Sequence, residues 1–71
     1  MILDKLKVGN IIVEISAKSP ERILNLLWNS GIKSKNIVKI DITTIRLEVE
    51  YNDYNEVVGA VKRCGGKIKI M

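Results

Sequence analysis

From Thr44 to Glu50 the chain alternates without a break: Ile45, Leu47 and Val49 fall on one side, Thr44, Arg46, Glu48 and Glu50 on the other. Successive side chains of an extended chain point to opposite faces, so this pattern predicts a strand with one apolar and one wet face. Whatever the chain folds into must bury one side of a sheet and leave the other to water.

Three more segments carry the same period. Val8 to Ile15 sets Ile11, Val13 and Ile15 against Ile12, Glu14 and Ser16. Asn36 to Asp41 reads with Val38 and Ile40 inward and Ile37, Lys39 and Asp41 outward. Lys67 to Met71 places Ile68 and Ile70 opposite Lys67 and Lys69. Ile42-Thr43 sits at a tight connection between the second and third strands, without the Asn-Gly pair that would fix its type.

Two segments switch to a helical period. Ser19-Pro20-Glu21 supplies a capping hydroxyl, a residue suited to the first helical position and a charge that complements the helix dipole. Ile23, Leu26, Leu27 and Ser30 follow at helical spacing, flanked by Leu24 and Trp28, and Gly31 stops the run. Asp53-Tyr54-Asn55-Glu56 has the form of a capping box. Beyond it Tyr54, Val57, Val58, Val61 and Cys64 trace one face, and Gly65-Gly66 ends the helix.

The order is strand–helix–strand–strand–helix–strand, in one domain over residues 1–71. Strands that are apolar on one face only call for a single sheet with both helices on the same side. Right-handed crossovers place the first strand beside the third and the fourth beside the first. The prediction is an α+β, ferredoxin-like sandwich: a four-stranded antiparallel sheet, order 4-1-3-2, with two helices on one face. Lys35 and Lys39 on one edge, and Lys67 and Lys69 on the other, would discourage edge-to-edge pairing. The open face would show Ile12, Glu14, Lys39, Arg46, Glu48, Lys67 and Lys69, as a wet mixed-charge surface or a docking one.

The core must be aliphatic, because Phe is absent and the aromatics are Trp28, Tyr51 and Tyr54. A chain this short gains on the order of 4–10 kcal/mol from folding. Its net charge of +4 comes from interleaved signs, which reads as a solvated, slightly basic surface. One cysteine, Cys64, allows no intramolecular disulfide and fits a reducing compartment. Met1 to Val8 carries Asp4, Lys5 and Lys7, which does not suit a signal peptide.

Several chemistries lack their residues. A heavy-metal carrier on this fold would put a CxxC in the first loop, and Ser16-Ala17-Lys18-Ser19 offers no soft ligand. Cys64 lies on the inward helical face with no histidine in the chain to activate it, so it reads as a small hydrophobe. The first and third strands have no stacking aromatic, so no nucleic acid is expected. The carboxylates Glu14, Glu48 and Glu50 lie on exposed strand positions. No catalytic, cofactor-binding or metal-binding residue is assigned. The residues best placed to meet a partner are Trp28, which either packs over the sheet edge or stands out as an anchor, with Ile12, Ile37, Lys39 and Arg46 on the sheet.

Gly9 with Ile11-Ile12-Val13-Glu14-Ile15, then Ser19-Pro20-Glu21-Arg22-Ile23-Leu24-Asn25-Leu26-Leu27 and Gly31-Ile32, resembles the amino-terminal region of the YqfD-type stage IV sporulation membrane proteins. Asp53, the second helix and Gly66-Lys67-Ile68-Lys69-Ile70 also fall where that family has an aspartate-capped helix and a lysine-rich strand. The chain departs from the pattern at Leu6, Asn10 and Lys33-Ser34-Lys35, where aromatic or apolar residues are usual. The resemblance implies a role in endospore formation. It also implies a soluble piece preceding a transmembrane segment, on the cytoplasmic side of a membrane-anchored protein. It brings no catalytic residues. The expectation is a non-catalytic interaction or scaffold module with a protein partner, and a homodimer is open to it through exposed Ile12 and Ile37. The alternative is a small-ligand regulatory domain resembling ACT domains, although Ala17-Lys18 lacks their loop glycine. An acylphosphatase-like enzyme would need a loop arginine that is absent here.

Overall fold

The alternation at Thr44–Glu50 is realised as an inner strand. In the computed structural model, which describes residues 9–71, β1 (Asn10–Ser16) and β3 (Thr44–Glu50) pair antiparallel through seven residue pairs, from Asn10 with Glu50 to Ser16 with Thr44. The expected strand start at Val8 lies outside the described residues. β4 (Lys67–Ile70) pairs with the other side of β1, and β2 (Ser34–Asp41) with the other side of β3. The sheet order is β2-β3-β1-β4, the expected 4-1-3-2 order counted from the opposite edge. Two helices, α1 (Pro20–Asn29) and α2 (Tyr54–Arg63), supply the cover.

The core forms where the two periods meet. Val13 and Ile15 of β1 and Ile45, Leu47 and Val49 of β3 are buried against Ile23 and Leu27 of α1 and Val57, Ala60 and Val61 of α2. Each fully buried aliphatic side chain contributes about 1.5–3 kcal/mol. Ser30, expected on the inward stripe of α1, is exposed, and Ala60, which the spacing passed over, is inside. Cys64 packs against the core half-buried.

Both helices end in the same way. Gly31 takes φ +79°, the Ile32 amide donates to the Leu27 carbonyl at 2.9 Å, and the Gly31 amide donates to Trp28 at 3.0 Å. Gly65 takes φ +69°, with Gly66 donating to Val61 at 2.9 Å and Gly65 to Lys62 at 3.0 Å. These are paired Schellman closures, which satisfy the last helical carbonyls. The helices start where expected, at Pro20 after Ser19 and at Tyr54 after Asp53, but neither Ser19 nor Asp53 makes a side-chain capping bond. Asp53 has φ −92° and ψ −2° because a 3-10 turn, Tyr51–Asp53, runs directly into α2. Side-chain capping needs an extended residue at that position.

β2 departs most from its expected form. Val38 and Ile40 were expected inward, yet Val38 is 52% and Ile40 44% exposed, and nothing in β2 is buried. The cause is register. Lys35 faces Glu48 and Val38 faces Arg46, so Asn36 and Ile37 together oppose Leu47. Asn36 sits at φ +51° to make that bulge. A second shift between Lys39 and Asp41 inserts Ile40. With a side-chain period of two, one extra residue exchanges the faces of everything after it.

Candidate interaction surface

The strand registers set the open face out as a grid. One row runs Val38, Arg46, Glu14, Lys69 across the four strands. The row on one side of it runs Asp41, Thr44, Ser16, Lys67, and the row on the other side Lys35, Glu48, Ile12. Neighbouring strands lie roughly 4.8 Å apart, which brings opposite charges within reach of each other.

Glu14 is the hub. Its side chain is 15% exposed and lies 3.4 Å from the Lys69 ammonium and 3.7 Å from the Arg46 guanidinium. Glu48 accepts hydrogen bonds from the Asn36 amide at 2.9 Å and the Asn10 amide at 3.0 Å. Those bonds, Asn36 first, hold the Glu48 carboxyl below its usual pKa. At the hairpin, Asp41 accepts from the Thr43 amide at 2.9 Å and from its hydroxyl at 3.2 Å. The Thr43 amide is the main cause of a lowered pKa there.

Apolar groups stand inside this charged frame. Ile12, 46% exposed, shares the open face with Val38 and Ile40, which lie two strands away across Glu48 and Arg46. A trough of about 440 Å³ crosses the Asp41–Lys67 row, floored by Ser16 and Thr44, whose hydroxyls lie 3.4 Å apart. A second hollow, of about 500 Å³, lies beside α1 between Trp28, Ile32, Lys33 and Lys35.

The expected partner-facing residues do not form one patch. Ile12 and Arg46 share the open face, as expected. Lys39 was expected there but pairs across from inward Ile45, and its ammonium lies 3.2 Å from Glu21 on α1. The Glu21 carboxyl is held below its usual pKa by its own backbone amide first and Lys39 next. Ile37, opposite Leu47 and one step before open-face Val38, falls on the helix side, also against expectation. Trp28 is 56% exposed and lines the second hollow beside Ser34 and Lys35 at the start of β2. Val38 and Ile40 are the open-face residues that the alternation missed. Their one advance signal was Asn36, a residue type that tolerates positive φ.

Among the described residues no group of three or more Cys, Asp or Glu side chains is gathered as metal ligands would be. No helix among them is long and apolar enough to cross a membrane. A four-stranded antiparallel sheet in this order, with two helices on one face and ion pairs on the other, defines a ferredoxin-like domain. The particular assignment follows from comparison: residues 5–71 match the family model "Putative stage IV sporulation protein YqfD", and the chain belongs to that family. Membership ties it to sporulation. No curated protein matches the chain.

Proposed function

We propose that this domain is a non-catalytic docking module for a protein partner in endospore formation, on the cytoplasmic side of a membrane-anchored protein. One observation carries the reading. Ile12, Val38 and Ile40 stand half-exposed on the open face among charges that are already committed to one another. Apolar side chains inside a polar frame are the anatomy of a protein interface. Carboxylates with lowered pKa values and a half-buried Cys64 without histidine favour recognition over chemistry.

The test removes residues 1–71 from the native protein and scores heat-resistant spores. A second strain carries Ile12→Ser, Val38→Ser and Ile40→Ser, at positions outside the core. Spore yield is expected to fall in both strains while the substituted domain keeps its thermal midpoint. Normal yield from the deletion refutes the reading.

The trough over Ser16 and Thr44 supports a second reading, a small-ligand regulatory domain, since about 440 Å³ lies within the range of ligand pockets. A thermal-shift screen with amino acids and nucleotides tests it; a flat response across the screen removes it.

A further inference from the structure

The two edges of the sheet are closed in different ways. β2 is interrupted twice, at Asn36-Ile37 and at Ile40, so its outer side cannot present a regular ladder to another strand. β4 is short, but its four pairs with β1 run without a shift. Among the described residues, β1 is its one neighbour in the sheet.

The backbone groups on that outer side can be assigned. The Met71 amide donates to the Ile12 carbonyl at 2.9 Å. Antiparallel ladders alternate, so Lys69 and Lys67 also turn their amides and carbonyls toward β1. Ile68 and Ile70 turn theirs away from the sheet. The side chains divide by face. Lys67 and Lys69 stand opposite Ser16 and Glu14 on the open side, and Ile68 and Ile70 stand opposite Ile15 and Val13 on the helix side.

This pattern selects among incoming strands. A second copy adding β4 to β4 would set Lys67 and Lys69 against the same residues, a like-charge contact that disfavours the pairing. A strand with acidic residues alternating with apolar ones would meet the Lys67 ammonium, and the Lys69 ammonium that Glu14 already holds at 3.4 Å, on the open side, and Ile68 and Ile70 on the other. We propose that β4 is a docking edge for an extended acidic–apolar segment of a partner protein, which adds as a fifth strand beside Lys67–Ile70. The proposal rests on the docking reading above and names the partner's chemistry.

The experiment titrates the 15N-labelled chain with a synthetic peptide of alternating glutamate and valine. An alternating lysine–valine peptide serves as the control. The Ile68 and Ile70 amide signals are expected to shift, and their hydrogen exchange to slow by about tenfold or more at saturation. The Lys67 and Lys69 amides, already bonded to β1, keep their protection. Combining Lys67→Glu with Lys69→Glu is expected to weaken the glutamate peptide by about tenfold and to admit the lysine peptide. If that variant unfolds, Lys67→Gln with Lys69→Gln reads the same loss of glutamate binding without added charge. Silence at Ile68 and Ile70 up to millimolar peptide overturns the proposal, and so does equal binding of both peptides or a response confined to Ile12, Val38 and Ile40. These outcomes leave the spore assay untouched: a sporulation defect with a silent β4 means that docking uses another face.

Discussion

Gly66 lies close against β1 and α2, and replacing it with alanine tests the packing directly. A Cβ there would lie 2.7 Å from the Ser16 carbonyl oxygen, 3.0 Å from the Ala17 Cβ and 3.2 Å from a Val61 methyl. The nearest atom is backbone, and Ser16 is tied to both Thr44 and Lys67 across the sheet, so it cannot retreat without opening a strand pair. Overpacking of this kind costs about 1–3 kcal/mol, and the rigid neighbour places Gly66→Ala at the upper end, about 2–3 kcal/mol. At roughly 4–8 °C per kcal/mol for a domain of this size, the midpoint should drop by about 10–20 °C. Two other glycines serve as controls. Gly65→Ala meets open space but must hold φ +69°, which costs about 1 kcal/mol. Gly59→Ala lies inside α2 with nothing within 4 Å and should stabilise by about 0.5–1 kcal/mol. Urea and thermal unfolding followed by circular dichroism give all three values. A Gly66→Ala cost below about 0.5 kcal/mol, or no larger than that of Gly65→Ala, would refute the steric argument.

Further outcomes are specific. Glu14→Gln leaves Arg46 and Lys69 facing each other without their shared counter-charge. Because both cations are partly exposed, the loss should be about 1 kcal/mol in urea unfolding and should shrink at high salt. Glu48 has a lowered pKa in the folded state, so it stabilises the fold above the unfolded-state carboxylate range and loses that contribution as pH falls through its folded value. The midpoint of Glu48→Gln should therefore vary less steeply with pH below neutrality than that of the parent, and parallel curves would contradict the assignment. Trp28 is the sole tryptophan and stands mostly in water, so its fluorescence should be red-shifted and readily quenched by acrylamide. Trp28→Ala should cost less than about 1 kcal/mol in unfolding.

The inner strands were legible because their neighbours lie on both sides. Each of Val13, Ile15, Ile45, Leu47 and Val49 alternates in sequence as it does in space. The helix ends were legible because Gly31 and Gly65 are needed for their positive φ. The helix starts were legible too, at Ser19-Pro20 and Asp53-Tyr54, but the side-chain capping bonds expected there do not form. Asp53 has the residue type of a cap, but the 3-10 turn before α2 gives it a helical backbone that the sequence does not encode in any single position. β2 was misread because alternation assumes one residue per partner residue. An edge strand tolerates an extra residue at little cost, and two of them moved Val38 and Ile40 to the open face and Lys39 to α1. The candidate surface was legible only in part as a result. Its charged members Glu14, Arg46 and Glu48 follow the regular strands, and its apolar members depend on the bulges.

The register that joins Val13 to Ile70 connects positions almost the full chain apart, whereas the β2–β3 hairpin closes over the two residues Ile42 and Thr43. Loop-closure entropy therefore favours the hairpin early and the β1–β4 ladder late. Until Lys67–Ile70 arrives, β1 has a hydrogen-bonded companion on one flank alone. Amide exchange should run fastest along that final ladder, so the segment that completes the domain is also the one it releases most readily.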